Sequence, residues 1–323
     1  MLSRRAFLGS IAAAGATLRG CESALLATAS QPRTAVTVDV PPGACDCHTH
    51  IFGDATRYPW APVRAYTPEP ASLDEMRALH RALRMERVVI VQPSVYGVDN
   101  ACTLDASRAF GARGRAVVVI DERTPDAALD EMHRAGARGV RINLETSGQT
   151  DPAQARQRLL AAIDRVRSRN WHVQVYTRLS VIDAIRNEVM AAPVPIVFDH
   201  FGGAQAALGV DQPGFATLVN LVRGGKAYVK ISGAYRSSTQ APDYADVTPL
   251  AQALVAANPQ RIVWGTDWPH PDSAQVPGRK TTDIAPLQQV DDGRLLNQLP
   301  RWVPNAAVRR TILVENPARL YGF

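Results

Sequence analysis

From residue 43 to the C-terminus, short β-rich segments alternate with longer helical patterns. This alternation predicts eight strands, at residues 44–50, 87–92, 115–121, 137–143, 171–176, 194–200, 226–232 and 261–267. Several are continuous hydrophobic runs, such as Val88-Val89-Ile90-Val91, as expected for parallel strands that are covered on both faces. The pattern favours an α/β fold of the (β/α)8 TIM-barrel type. An open doubly wound sheet is the alternative, although no glycine-rich phosphate loop follows any of these segments.

Helical patterns fill the gaps between the predicted strands. The segment 72–84 opens with Ser72 and Glu75 at the spacing of a capping box, and hydrophobic residues recur at helical spacing within 151–169. Further helices are predicted at 182–190, 214–222 and 244–257. Residues 30–42 are expected to form a proline-containing lead-in, and residues 276–293 a long loop or irregular insertion.

The N-terminus carries the pattern of a twin-arginine export signal. Arg4-Arg5 and Phe7 precede an apolar stretch from Gly9 to Leu18. We expect cleavage near Ala29, so that residues 1–29 are a signal peptide and residues 30–323 a single barrel domain in the bacterial periplasm. A lipid-modified Cys21 is the alternative processing site.

Composition excludes several classes of function. The chain has 323 residues and a formal net charge of +6, but it contains no basic run with interleaved aromatic residues, so nucleic acid is not an expected partner. No apolar run downstream of the signal reaches the roughly 18 residues that a membrane span needs. Cys45, Cys47 and Cys102 are expected to be buried structural thiols.

Polar side chains gather where the predicted strands end, which is where a TIM barrel holds its catalytic groups. Asp46, His48 and His50 alternate along the first strand and should therefore point the same way, into the barrel mouth. The sixth strand ends at Asp199-His200, and Asp267 follows the eighth. Two imidazoles, a third imidazole and a carboxylate indicate either a metal site or an acid/base site.

The motifs H-T-H after strand one, F-D-H-F-G-G after strand six and W-G-T-D-W-P-H-P after strand eight together resemble the amidohydrolase superfamily. The closest resemblance is to its 2-pyrone-4,6-dicarboxylate lactonase and sulfomuconolactone hydrolase branch, and it covers essentially residues 41–321. Strand four offers Arg141 and Asn143, and strand five ends at Tyr176, so the additional ligands of a two-metal centre are lacking. His172 begins strand five, at the structural end of a barrel, and is expected to be packed or solvated rather than to bind a metal.

The resemblance implies roles for individual residues. Asp267 is the candidate general base, and His200 the residue that polarises the carbonyl together with His48 and His50. A single Zn²⁺ held by His48, His50 and Asp267 is one form of the site, and metal-free catalysis is the other. The implied substrate-binding residues are Arg141, Arg236, Tyr66, Ser94, Tyr96 and Tyr176.

The sequence therefore predicts a hydrolase that opens a small anionic lactone in the breakdown of aromatic compounds. The chain lacks a second arginine after Arg141, which favours a carboxylated or sulfonated muconolactone over pyrone dicarboxylate. A lactone isomerase or a single-zinc decarboxylase on the same scaffold is the first alternative. A non-catalytic periplasmic protein that binds organic anions is the second.

Overall fold

The computed structural model describes residues 29–274 and 276–323. Apart from Ala29, the predicted export signal lies outside the described residues. Within the described part of the chain, no helix is long and apolar enough to cross a membrane.

Eight parallel strands form one sheet in which neighbours in the chain are neighbours in space. Two backbone hydrogen bonds join its edges: Asp267 N–H donates to His48 O over 2.8 Å, and His50 N–H donates to Trp268 O over 2.8 Å. The sheet is therefore closed, the predicted TIM barrel is confirmed, and the open doubly wound alternative is wrong. The strands are β1 Cys45–Thr49, β2 Arg87–Val91, β3 Gly114–Val118, β4 Ala137–Asn143, β5 His172–Tyr176, β6 Ile196–Phe198, β7 Ala227–Ser232 and β8 Ile262–Gly265.

Helices surround the barrel and continue beyond its last strand. The capping box at Ser72 and Glu75 is present, with Ser72 as the N-cap of α1. The predicted helix 182–190 is in fact two short helices separated at Ile185. The α-helices are α1 Leu73–Leu83, α2 Ala101–Phe110, α3 Asp126–Arg134, α4 Pro152–Val166, α5 Leu179–Ala184, α6 Arg186–Ala191, α7 Phe215–Arg223, α8 Ala234–Ser237, α9 Thr248–Ala257, α10 Asp292–Leu296, α11 Leu299–Trp302, α12 Ala306–Arg310 and α13 Asn316–Tyr321.

The apolar side chains form two separate cores. The larger core lies between the strands and the surrounding helices. The smaller core fills the lower barrel interior and comprises Cys45, Cys47, Val89, Val91, Val117, Val197, Tyr228, Val263, Leu320 and Tyr321. Cys45, Cys47 and Cys102 are buried free thiols, as predicted. His172 is 1% exposed and packs edge-on against Tyr321, 5.2 Å between ring centroids, so it is packed rather than solvated.

Strand β1 contains an irregularity that simple alternation does not anticipate. Its register against β2 shifts between Asp46 and Thr49. Asp46 lies outside the barrel interior, where it accepts hydrogen bonds from Thr266 and binds His80 of α1 at 3.3 Å. The prediction that Asp46 points into the mouth with His48 and His50 is therefore wrong, because a bulge breaks the period of two along the strand.

Two connecting segments outside the barrel pack against each other. Residues 276–293 are mostly irregular, as predicted, but Ile284–Ala285 pairs in parallel with Thr67–Pro68. The lead-in packs against the end of this segment, where Thr34 donates a 2.7 Å hydrogen bond to Asp291.

Gly265 makes the closure of the barrel testable. A Cβ atom at this position would lie 2.7 Å from the His48 backbone nitrogen. We expect Gly265→Ala to reduce the free energy of unfolding by about 1–3 kcal/mol, because the strand edges must separate to admit the methyl group. Urea unfolding followed by circular dichroism measures the loss. Gly224→Ala, whose added Cβ would lie 3.4 Å from its nearest neighbour, is the control that should stay close to the wild type.

Candidate active site

Three imidazoles surround one carboxylate oxygen at the C-terminal ends of the strands. The Oδ1 atom of Asp267 lies 3.5 Å from His48 Nε2, 3.5 Å from His50 Nε2 and 3.8 Å from His200 Nε2. His48 and His50 come from the end of β1, His200 follows β6 and Asp267 follows β8. The closed sheet thus brings together four residues that lie far apart in the sequence and for which catalytic or metal-binding roles were predicted.

The other oxygen of Asp267 is fixed from the opposite side. Tyr235 Oη donates to Oδ2 over 2.7 Å, and Arg236 Nε donates to the same atom over 2.5 Å. Burial alone raises the pKa of Asp267, but Arg236 and the neighbouring His200 outweigh burial and hold this pKa well below its usual range. The carboxylate is therefore ionised at neutral pH, with Oδ2 bound and Oδ1 directed at the imidazoles.

The far nitrogen of each imidazole has its own partner. His50 Nδ1 lies 2.7 Å from Val91 O, and since a carbonyl only accepts, Nδ1 carries the proton and Nε2 presents a lone pair. His200 Nδ1 lies 3.0 Å from Ser232 Oγ. Burial lowers the pKa of His200 to about 4, and it also lowers the pKa of His48 and of His50. All three rings are therefore neutral at pH 7.

This arrangement fits a bound divalent metal ion. The side-chain atoms His48 Nε2 and Asp267 Oδ1 are buried without a hydrogen-bond partner among the described residues. Ligand atoms of His48, His200 and Asp267 all lie within 4.8 Å of one another. Neutral imidazoles whose Nδ1 atoms are held from behind, together with one carboxylate, form a donor set typical of zinc. A lone pair on His50 Nε2 cannot donate to a substrate oxyanion, so the geometry favours the metal-binding role of this residue over the oxyanion-binding one.

A buried ionic network supports His48 from below. Its Nδ1 atom lies 3.2 Å from Lys230 Nζ and 3.3 Å from Asp199 Oδ1. Lys230 also donates to Gln174 Oε1 over 2.7 Å, and Gln174 donates to Asp199 Oδ2 over 3.0 Å. Arg141 Nη2 is 3.5 Å from the same carboxylate oxygen. Lys230 and Asp199 are both completely buried, so the network fixes the orientation of the His48 ring.

Unusual backbone conformations occur at the residues that carry the chemistry. His200 has φ 48° and Asp267 has φ 66°, which are left-handed conformations that side-chain-bearing residues seldom adopt. Gly233, with φ 55°, lies against both residues, and a Cβ there would be 2.9 Å from His200 Nδ1. Strained backbone of this kind concentrates at functional sites, where the surrounding structure holds it.

The substrate-binding residues implied by the sequence do not all reach this centre. Tyr66 is buried and forms a hydrogen bond with Ser94. Burial raises the pKa of Tyr66 to about 12, and the charges of Arg236 and Asp267 are near enough to affect it. Tyr96 instead places its hydroxyl 3.0 Å from the Gly53 N–H. Its hydroxyl is therefore directed at a backbone amide rather than at the imidazoles.

The remaining three predicted residues lie at the mouth or just below it. Tyr176 packs edge-on against His200, with ring centroids 5.0 Å apart. Arg236 lies 5.8 Å from the Tyr176 ring on its upper side, and Arg141 lies 5.6 Å from that ring. Arg141 is 7% exposed and its Nε has no hydrogen-bond partner among the described residues, so this arginine retains one free donor.

Two cavities open above the imidazoles. One has a volume of about 330 Å³ and the other about 350 Å³, and both are lined by Tyr176, Arg236 and Glu145. The first continues past Asp272, and the second reaches His200 and Arg178. The second cavity therefore reaches the imidazole centre through His200, and it adjoins the first along Tyr176, Arg236 and Glu145.

Sequence reasoning missed four residues that shape the site: Asp199, Gln174, Lys230 and Tyr235. Lys230 and Gln174 each interrupt a hydrophobic strand with a polar residue. This signal was available, because a charged residue is almost never fully buried unless it is paired. No comparable pattern marks the contact between Tyr235 and Asp267, because only the folded chain brings the two residues together.

Comparison with known proteins identifies the family and several relatives. A family model described as amidohydrolase matches residues 45–323. The chain is 38% identical over 290 residues to a 4-sulfomuconolactone hydrolase of Hydrogenophaga intermedia, covering 88% of this chain and 90% of that protein. It is 34% identical over 291 residues to a 2-pyrone-4,6-dicarboxylate hydrolase of Comamonas testosteroni, covering 87% and 91%. An apo crystal structure from Agrobacterium tumefaciens superimposes with a TM-score of 0.72 at 29% identity, covering 90% of this chain and 98% of that one.

The buried ion network gives a prediction for stability. We expect Lys230→Met to reduce the free energy of unfolding by about 3–5 kcal/mol, because it removes one of the two buried cations, Lys230 and Arg141, that neutralise Asp199. Adding Asp199→Asn should recover part of that loss, since the uncompensated charge is then removed. Urea unfolding of both variants measures the coupling. As a control, Lys226→Met changes an exposed lysine just before the same strand and should have little effect on stability. Equal losses of unfolding free energy for Lys230→Met alone and for Lys230→Met combined with Asp199→Asn would contradict the argument.

Proposed function

This chain belongs to the amidohydrolase family, and from that premise we propose that it is a hydrolase that opens a small anionic lactone by adding water to the ester carbonyl. The observation that carries the proposal is the convergence of Asp267 Oδ1 and three imidazole Nε2 atoms beneath two cavities that share Arg236. The names of the relatives support a substrate from the breakdown of aromatic compounds, carrying a carboxylate or sulfonate.

Asp267 is assigned as the general base. Its Oδ1 takes a proton as a water oxygen attacks the lactone carbonyl, and the resulting tetrahedral intermediate then expels the ring oxygen. The same proton passes to the departing oxygen, and the new carboxylic acid loses the second water proton to solvent, so hydrolysis yields one carboxylate, one hydroxyl or enol group and one released proton. Tyr235 and Arg236 hold Oδ2 throughout, which keeps the accepting oxygen directed at the reaction centre.

The low pKa of Asp267 makes it a weak proton acceptor, so the attacking water must itself become more acidic. We propose that His48, His50 and His200 hold one Zn²⁺ beside Asp267, whose Oδ1 stays available to accept the proton; when bound, the ion supplies Lewis-acid chemistry and lowers the pKa of water. Ser232 and Val91 orient two of these imidazoles through their Nδ1 atoms. Ligands oriented in this way retain their geometry when the substrate enters.

Substrate orientation is assigned to the residues at the mouth. Arg236 lines both cavities, and its Nη atoms make only long hydrogen bonds, of 3.5 Å to Ser273 Oγ and 3.4 Å to Pro271 O. These donors are available to a carboxylate or a sulfonate, for which a guanidinium is well suited. Arg141 and the hydroxyls of Tyr66 and Tyr176 supply further donors at the side of the ring.

Export to the periplasm, proposed from Arg4-Arg5 and the apolar stretch that follows, places this reaction outside the cytoplasm.

A direct assay tests the proposed reaction. We expect the purified protein to open muconolactone or 4-sulfomuconolactone with the release of one proton per turnover, followed by a pH indicator and by loss of the lactone absorbance. Asp267→Asn should lower kcat by a factor of about 10²–10⁴, because the proton acceptor is lost. Asp164→Asn removes an exposed carboxylate of α4 that lines neither cavity, and its kcat should stay near the wild-type value.

The products distinguish the alternatives. An isomerase consumes lactone without releasing a proton, a decarboxylase releases carbon dioxide, and a binding protein shows saturable binding without turnover. Any of these three results with the wild-type chain would overturn the proposed hydrolysis. Full activity of Asp267→Asn would remove Asp267 as the base.

Metal content provides an independent measurement. We expect about one equivalent of zinc per chain after incubation with zinc and gel filtration, measured by elemental analysis. His50→Gln should weaken zinc affinity by about a hundredfold or more in competition with a chelator, since it removes one ligand. His172→Gln removes a buried histidine at the opposite end of the barrel and should retain wild-type metal content. Equal zinc content in His50→Gln and the wild type would contradict the assigned ligand set.

A further inference from the structure

A salt bridge at the mouth joins the loops that follow β4 and β5. Arg178 donates two hydrogen bonds to Glu145, from Nε to Oε2 over 3.0 Å and from Nη2 to Oε1 over 2.6 Å. The backbone supports the pair, because Glu145 N–H donates to Tyr176 O, two residues before Arg178. Glu145 lines both cavities, whereas Arg178 lines only the second. The pair therefore lies where the outer part of a bound ligand must pass.

The charges around the mouth are balanced in pairs. Arg236 is bound to Asp267, and Arg141 lies beside Asp199. Asp272, which lines the first cavity, binds Arg279 at 2.9 Å. The cavity-lining arginines are thus each bound to a carboxylate before any ligand enters. A first anionic group on the ligand still finds the remaining donors of Arg236, but a second one meets an arginine that Glu145 already neutralises.

The two cavities differ in what they offer. The first is lined by Glu145 and Asp272 together with neutral polar groups, Thr146, Ser273 and Gln288. Its carboxylates are already paired, Glu145 with Arg178 and Asp272 with Arg279, so this cavity accepts hydroxyl donors but offers a further anion no unpaired cation. The second cavity contains the Glu145–Arg178 pair together with Arg236 and Gln205 near His200, so a carboxylate on the lactone ring finds the outer donors of Arg236 there. Charge and hydrogen-bonding capacity therefore separate an acid-binding side from a hydroxyl-binding side.

We propose that the Glu145–Arg178 pair determines substrate specificity: it selects lactones with a single anionic group and a neutral, hydrogen-bonding second substituent, and it disfavours dianionic lactones. This inference rests on the proposed lactone hydrolysis. The pair is half exposed, with 46% of the Arg178 side chain and 31% of the Glu145 side chain accessible. A surface pair of this kind contributes little to folding stability, so its charge can be altered without loss of the fold.

The test compares two ligands that differ by one sulfonate, muconolactone and 4-sulfomuconolactone. For the wild type, we expect kcat/KM to be higher for muconolactone. Glu145→Gln keeps the size of the side chain and frees the charge of Arg178, so kcat/KM for 4-sulfomuconolactone should rise about tenfold, mainly through a lower KM. The value for muconolactone should change by less than about twofold. The gain should diminish at high salt, because this region of the site is open to solvent.

Two further variants isolate the cause. Glu145→Gln combined with Arg178→Met should lose the gain, because the gain acts through the guanidinium. Glu188→Gln breaks a similar pair with Arg156 on the outside of the barrel, 2.6 Å between Nε and Oε1, and should leave both substrates unaffected.

The outcomes separate this inference from the proposed function. If the wild type opens neither lactone, the proposed function fails. If it opens them but prefers 4-sulfomuconolactone, or if Glu145→Gln leaves the ratio of the two kcat/KM values unchanged, the specificity role of the pair is overturned. If the double variant keeps the tenfold gain, Arg178 is not the group through which Glu145 acts.

Discussion

The centre of the barrel holds buried charges that neutralise one another, and the geometry of the site depends on this neutralisation. Asp267 and Asp199 are both completely buried, which by itself would favour their protonated forms. Arg236 balances the first carboxylate, and His48, Lys230 and Arg141 together outweigh burial at the second, so the pKa of each lies well below its usual range. Because these contacts occupy Asp267 Oδ2 and surround His48 Nδ1, Asp267 Oδ1 and His48 Nε2 are left facing each other without conventional partners.

Rigid strands and adjustable loops have different tasks in this molecule. The imidazoles and Lys230 lie on the strands of the sheet or directly after them. Because the strands are hydrogen-bonded to one another, no single strand can shift independently of its neighbours. Glu145 and Arg178 lie on loops beyond the sheet, where a substitution alters charge without moving the catalytic groups. This division is common in (β/α)8 barrels, since it lets a single chemistry serve different substrates.

Strained backbone and buried hydrogen bonds together hold Asp267 and His200 in fixed positions. Asp267 and His200 adopt left-handed conformations that the neighbouring Gly233 accommodates, and each side chain is then fixed by hydrogen bonds on the side away from the substrate. Groups held in this way need little reorganisation as charge develops on the lactone oxygen. The free Nε donor of Arg141 and the outer donors of Arg236 remain for the acid group of the ligand.

The sequence by itself determined the barrel, the eight strands and the imidazole motifs, because hydrophobic periodicity and strand-end residues are local properties of the chain. It also indicated His48, His50, His200 and Asp267 as neighbours, since parallel strands present their C-terminal ends at one face. Only the tertiary structure decided that a bulge turns Asp46 away, that Tyr96 bonds to Gly53, and that Lys230 supports His48. These contacts join residues far apart in the chain, and their register depends on barrel closure and on local irregularities that no sequence period encodes.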